Sequence, residues 1–222
     1  MRLRILSAGA AQGVVSALAA QQGIALQAQF GAVGAMQEEL DAGAPCDLVV
    51  LTRPQIDALL ARGRITAAAD LGRVRTGIAV RAEDPLPAIE DRAALRAALL
   101  AAQEIHHPDA VKASAGIHFT RVLAALGIAD QVTARLRSHP NGASAMRALA
   151  ASGAGSAIGC TQITEIRNAP RVTLVGPLPG EFELATTYSA GLCSGDDAPR
   201  RFFELLTGDA SAALRTAAGF EF

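Results

Sequence analysis

Between Leu3 and Gly63 the chain repeats one order of elements: strand, turn of small residues, helix. That order restricts the fold to α/β architectures built on a mostly parallel sheet. Leu3–Leu6 is a short apolar strand, and SAGAAQGVV (Ser7–Val15) carries the chain into an Ala-rich helix over Ala11–Ala20, ending near Gly23. Ile24, Leu26, Ala28 and Phe30 then alternate with Ala25, Gln27 and Gln29, the period of a half-buried strand. GAVGA (Gly31–Ala35) leads into the helix MQEELDAG, closed by Gly43. DLVVLT, from Asp47, is the continuous apolar run of a buried parallel strand. The helix PQIDALLARG follows, with Pro54 at its start and Gly63 at its end.

The pattern changes after GIAVRAEDP (Gly77–Pro85), a strand running into a Pro-containing loop. A second set begins with a helix over Asp91–Ala102, a short strand Glu104–Ile105 and the loop HHPDAVKASAG. A helix starting near Ile117 presents Phe119, Val122, Leu123 and Leu126 on one face. Helix Ala143–Ala151, strand SAIGC, short helix TQITEI, strand RVTLV and strand LATTYSAGLC precede two C-terminal helical pieces. A lobe inserted between crossing strands near Gly77–Arg81 and Leu184–Cys193 accounts for this order. It assigns residues 1–79 and 190–222 to a first lobe and residues 80–189 to a second.

Half of the 222 residues are apolar, enough for a sizeable core, while aromatic residues are only 4% and Trp is absent. With a net charge of −1 and no Lys/Arg cluster, the chain lacks the basic footprint of a nucleic-acid binder. Cys46, Cys160 and Cys193 are far apart in sequence and in no metal spacing, so they are expected to act as small apolar residues. No run approaches the roughly 18 apolar residues of a membrane-spanning helix, so no membrane insertion is expected. The N-terminus has no continuous apolar leader segment. The expectation is a cytoplasmic protein as the chain stands, or a periplasmic one if a leader has been removed.

In parallel sheets ligands sit beyond the carboxyl ends of strands, where helix N-termini offer free N–H groups and partial positive charge. Four turns fit: SAGAAQG, GAVGA, KASAGIH and GCTQIT, all built from residues small enough for close approach of a ligand. None matches a dinucleotide or P-loop pattern, and no cofactor or metal is expected. The candidate ligand-binding residues are Ser7, Ala8, Gly9, Ala10, Ala32, Val33, Gly34, Ser114, Ala115, Gly116, Thr161, Gln162, Thr187 and Tyr188. His106 and His107 are expected as solvated loop residues. Asp47 is read as a turn brace, and Arg53, Asp84 and Glu165 as solvated charges at helix or loop ends. Tyr188 reads first as a hinge or cleft residue, with core packing close behind.

FGAVGAMQEELDAGAPCDLVVLTRPQIDALLARGRI (Phe30–Ile65), SAGIHFTRVLAALGIAD (Ser114–Asp130), GSAIGCTQITEI (Gly155–Ile166), TTYSAGL and FFELLTGDASAALRTAAGF carry a resemblance across nearly the whole chain. They resemble the periplasmic-type (type II) solute-binding fold, in its molybdate-binding-protein-like branch. The resemblance implies two Rossmann-like α/β lobes with mostly parallel sheets, joined by two crossing hinge strands, with an anion cleft between them. Molybdate binders of this family place a Ser in each of the first two turns; here those positions are Ala10 and Val33 or Gly34. A Tyr of the late crossing strand is replaced by Thr187. A buried oxyanion left with unpaired acceptors loses about 1–3 kcal/mol for each, so molybdate is the third-ranked reading. The variant turns are similar to a subgroup that includes aconitate isomerase, which implies a small organic carboxylate. Whether that acid is only held or is isomerised stays open at this level, with Lys112, His118 and Tyr188 as alternative catalytic bases. A monomer or weak dimer is expected, with an ABC permease as partner only if the protein is exported.

Overall fold

The computed structural model describes residues 2–222. Leu3–Ala8 (β1) lies between Leu26–Gly31 (β2) and Leu48–Thr52 (β3), parallel to both, with Ala8 opposite Gly31 and Ser7 opposite Val50. The register aligns the carboxyl ends of these strands on one edge. β2 is paired on one side only, and its side chains alternate between exposed and half-buried, as its polar/apolar alternation predicts. β3 is covered on both faces, which is why LVVL is apolar throughout.

A single 3-10 turn at Gly9–Ala11 runs from β1 into helix α1 (Gln12–Gln21); α2 (Val33–Asp41) follows β2 and α3 (Arg53–Ala61) follows β3. Gly43 and Gly63 stand in the left-handed region (φ 87° and 64°) and end α2 and α3, as their places in the sequence predict. Met36 and Leu40 of α2 and Ile56 and Leu59 of α3 pack on Leu6, Val49 and Leu51.

β4 (Ala67–Arg81) starts ten residues before the expected Gly77. Its first half, AAADLGRVR, is Ala-rich and charged, so local composition hides a strand that Leu71 and Val74 anchor by burial. The chain leaves one compact unit inside β4 and returns at the start of β9 (Ala185–Leu192): residues 2–74 with Thr186–Phe222 form the first unit, Arg75–Ala185 the second. β9 runs antiparallel to β3, with Tyr188 opposite Thr52. Helices α9 (Asp197–Thr207) and α10 (Ala212–Ala218) complete the first unit.

The second unit contains α4 (Arg92–Ala101), β5 (Glu104–Pro108), α5 (Ser114–Ala125), α6 (Ala129–Val132) and β6 (Leu136–His139). It continues with α7 (Gly142–Ala151), β7 (Ala157–Gln162), α8 (Ile163–Arg167) and β8 (Val172–Pro177). β5 pairs in parallel with β6 and β7, while β4 pairs antiparallel with β7 and β8. Phe119, Val122 and Leu123 of α5 and Leu126 just past its end are all buried in the unit's core with Leu95, Leu99 and Ile105. No helix among the described residues is long and apolar enough to cross a membrane.

His106 and His107 are corrected: they lie in β5, not a loop, and only 4% and 5% of each is exposed. The strand runs through both because β6, formed by the inconspicuous segment LRSH, pairs alongside it.

Candidate functional site

In the first unit, β1 and β2 end side by side, so Ser7–Ala10 and Ala32–Gly34 lie on the same sheet edge. Ala8 begins the 3-10 turn and Ala32 begins α2, and neither helix start receives a side-chain cap. Ala8, Gly9, Ala10 and Ala32 are buried, while Val33 and Gly34 are half-buried. The fully buried Ser7 hydroxyl donates to Ala8 O at 3.0 Å, so it is engaged within its own turn. Thr52 and Gln55 form a capping box on α3, with the Thr52 hydroxyl donating to Gln55 Oε1 at 2.7 Å. Thr187 precedes Tyr188, which is opposite Thr52, and so lies at this same edge. Tyr188 is 2% exposed and meets Phe220 edge-on at 6.5 Å between ring centroids.

The second unit repeats the arrangement with different chemistry. α5 begins at Ser114, three residues before the expected Ile117, behind an uncapped Ala113. Its first turn presses on the end of β5: a methyl group at Gly116 would overlap the carbonyl oxygens of Pro108 and Asp109. Asp109 Oδ1 accepts from the N–H groups of Val111 and Lys112, both at 2.7 Å, which folds this loop and holds the carboxyl below its ordinary pKa. Thr161 and Gln162 end β7, the parallel neighbour of β5, and so share an edge with Ser114.

Thr161 and Gln162 converge on Glu165, which is buried rather than solvated. The Thr161 hydroxyl donates to Glu165 Oε2 at 2.5 Å, and the N–H groups of Gln162, Gly142 and Ala143 donate to the same carboxyl. Gly142 and Ala143 are the first residues of α7, whose cap is Asn141 Oδ1 accepting from Ser144 N–H at 2.8 Å. An internal carboxylate therefore occupies the α7 N-terminus. Burial outweighs these donors and pushes the Glu165 pKa up to about 6. The N-cap Asn141 was readable from sequence; nothing local marks Glu165 as buried.

Of the three candidate bases, Lys112 is exposed and His118 is half-buried, with its Nε2 2.7 Å from Phe182 O. That contact places a proton on Nε2 and leaves Nδ1 as the basic nitrogen. Tyr188 belongs to the other unit.

Asp47 has a structural role, though not in its own turn: it ties the base of the first unit's sheet to β1, accepting from Arg4 N at 2.8 Å and Arg4 Nε at 3.1 Å. Arg53 pairs with Asp57 and Asp70, and Asp84 with Arg81. His106 Nδ1 lies 3.1 Å from His139 Nε2, and its Nε2 lies 3.3 Å from Glu104 Oε2. Burial lowers the pKa of both histidines. A histidine pKa depressed on folding contributes stability above the unfolded value of about 6.5 that is lost as pH falls through the folded pKa. Stability should therefore drop on acidification below about pH 6.5, and His139→Gln should drop less; denaturant titrations at several pH values read the difference.

A profile of the family described as bacterial extracellular solute-binding protein matches residues 3–221. The chain belongs to this family. The Azotobacter vinelandii periplasmic molybdate-binding protein superposes with a TM-score of 0.78 at 20% identity, covering 99% of both chains. The sulfate-binding protein SubI of Mycobacterium tuberculosis H37Rv gives a TM-score of 0.70 at 18% identity, over 99% of this chain and 86% of that one. These likenesses establish the type II, molybdate-binding-like fold. An aconitate isomerase from a Pseudomonas species is 27% identical over 175 residues, 78% of this chain. The match spans 64% of that protein's length.

Proposed function

We propose that the protein binds a small organic carboxylate on the uncapped N–H groups of its strand-end turns. The carrying observation is a contrast among helix starts. α4 and α7 are capped by Asp91 and Asn141, whereas the turns at Ala8, Ala32 and Ala113, like the starts of α6, α8, α9 and α10, carry no side-chain cap. What marks these three is that each begins on a buried alanine at or after the end of a strand. Those turns are largely buried, and N–H groups there require an acceptor. Ala10, Val33 and Gly34 offer no hydroxyls, which suits a planar carboxylate beside apolar surface better than a tetrahedral oxyanion. Within the first unit Thr187 adds a hydroxyl donor at the strand-end edge, and within the second Ser114 adds one at the start of α5.

Thermal unfolding in the presence of di- and tricarboxylic acids, molybdate and sulfate tests the reading. A carboxylate at about 100 times its Kd should add about 2.7 kcal/mol, a rise of roughly 5–10 °C for a chain of this size. A shift with molybdate or sulfate and none with any acid overturns it.

A second reading, an isomerase moving a proton next to the carboxylate, is supported by the aconitate isomerase relative. In it the turn N–H groups stabilise the enolate-like charge, and Lys112, His118 or Tyr188 supplies the base. Proton NMR of the stabilising acid in deuterated water separates the two readings. Loss of a C–H signal with time marks turnover, and an unchanged spectrum marks a binder.

A further inference from the structure

We propose that Cys46 and Cys193 form a thiol–disulfide exchange site, at which Cys46 takes up a small-molecule disulfide and Cys193 resolves the adduct into an intramolecular bridge. Their separation in sequence predicts independent apolar residues, yet the two sulfurs are 3.8 Å apart, with the Cys193 thiol donating to Cys46 Sγ. Both are half-buried and so reachable by a small molecule, whereas Cys160 is fully buried.

Strand register alone does not place them together. Leu48 lies opposite Leu192, so Cys193 falls opposite Asp47 and Cys46 one place further on. Residues offset by one place face opposite sides of a regular ladder. Here the N–H groups of both Cys193 and Ser194 reach Asp47 O, at 2.9 and 3.4 Å. Two residues against one is the pattern of a bulge, which re-aims a side chain. Bond formation requires the sulfurs to close from 3.8 Å to about 2.05 Å by rotation of the two side chains.

The pair also has an order. The hydrogen bond from Cys193 lowers the Cys46 pKa, with smaller help from a backbone N–H and from Arg4, whose guanidinium is held next door on Asp47. Donating that bond raises the Cys193 pKa. The Cys46 thiol in turn donates to Leu48 O at 2.9 Å, a bond it gives up on ionising. In the proposed order Cys46 is the attacking thiol because it receives the Cys193 hydrogen bond. Its thiolate attacks one sulfur of a disulfide RSSR, forming Cys46–S–S–R and releasing RS⁻. Cys193 then loses its proton and attacks the Cys46 sulfur, closing Cys46–S–S–Cys193 and releasing the second RS⁻. Two electrons pass from the protein thiols to RSSR, and the two released thiolates take up the two protons. The bridge ties the start of β3 to the end of β9 and restricts the unfolded chain between Cys46 and Cys193.

The test uses the folded wild-type protein with oxidised glutathione, followed by maleimide labelling in denaturant. The count of reactive thiols should fall from three to one, with no gain of glutathione mass and no covalent dimer. Non-reducing peptide mapping should join the Cys46 and Cys193 peptides, and the melting temperature should rise until a reductant reverses it. Cys193→Ser should retain one glutathione, and Cys46→Ser should lose the reaction. Three thiols still reactive after oxidation, a bridge to Cys160, or bridges only between chains would each overturn the proposal. The wild-type map decides the matter even if a variant fails to fold.

Discussion

Gly116→Ala is expected to lower the unfolding free energy by about 3 kcal/mol and to abolish the carboxylate-induced rise in melting temperature. Two effects oppose each other at this site. Helix propensity favours Ala over Gly by about 1 kcal/mol in a helix interior, so a helix considered alone would gain stability. Gly116 sits in the first turn of α5, however, and a methyl group there would overlap the carbonyl oxygens of Pro108 and Asp109. These are backbone atoms at the end of β5, so no flexible side chain can move aside. The helix start must retreat from the strand end, and the N–H groups of Ser114–Gly116 move with it. The steric cost exceeds the propensity gain, which fixes the sign. Gly153 has open space around its Cα, and Gly153→Ala should stay within about 0.5 kcal/mol of wild type with its ligand shift intact. Urea titration and thermal unfolding with and without the acid measure both. A Gly116→Ala protein as stable and as responsive as wild type would remove α5 from the proposed site.

What the sequence reveals follows how local its physical cause is. The α2 and α3 helices were legible because Gly43, Pro54 and Gly63 act through their own backbone geometry. DLVVLT was legible because a strand covered on both faces must be apolar along its length. The turns around Ala8, Ala32 and Ser114 stood out through their small residues. The first half of β4 and all of β6 were not legible, since AAADLGRVR and LRSH become strands through partners distant in the chain. The same non-locality concealed the burial of His106, His107 and Glu165. It also concealed the Cys46–Cys193 contact, which depends on two N–H groups converging on Asp47 O. Absent side-chain caps at Ala8, Ala32 and Ala113 lie between these extremes: the alanines are visible in the sequence, but only the helix starts give them meaning.

Acidification from about pH 7.5 to 4.5 should stabilise wild type relative to Glu165→Gln by about 2 kcal/mol. The Glu165 carboxyl rests on Gly142, Ala143, Gln162 and Thr161, donors that favour its charged form, while complete burial favours the neutral form. Burial prevails, and the pKa rises from 4.5 to about 6. A carboxyl whose pKa is raised on folding binds its proton more tightly in the native state. Its contribution is fully present below about pH 4.5 and lost as pH rises through about 6. The histidines of β5 and β6 act in the opposite sense over an overlapping range, so raw stability curves mix the two. Subtracting the Glu165→Gln curve cancels the histidine contribution and isolates this carboxyl. A flat difference would mean that the α7 N–H groups hold Glu165 ionised throughout and that burial does not govern it. The outcome bears on ligand choice, because Glu165 occupies the start of α7 with a carboxyl of the protein's own. A bound acid can then draw on the α5 turn but not on α7, and Glu165→Ala, which vacates that position, should admit an added carboxylate there and weaken the preference for the original one.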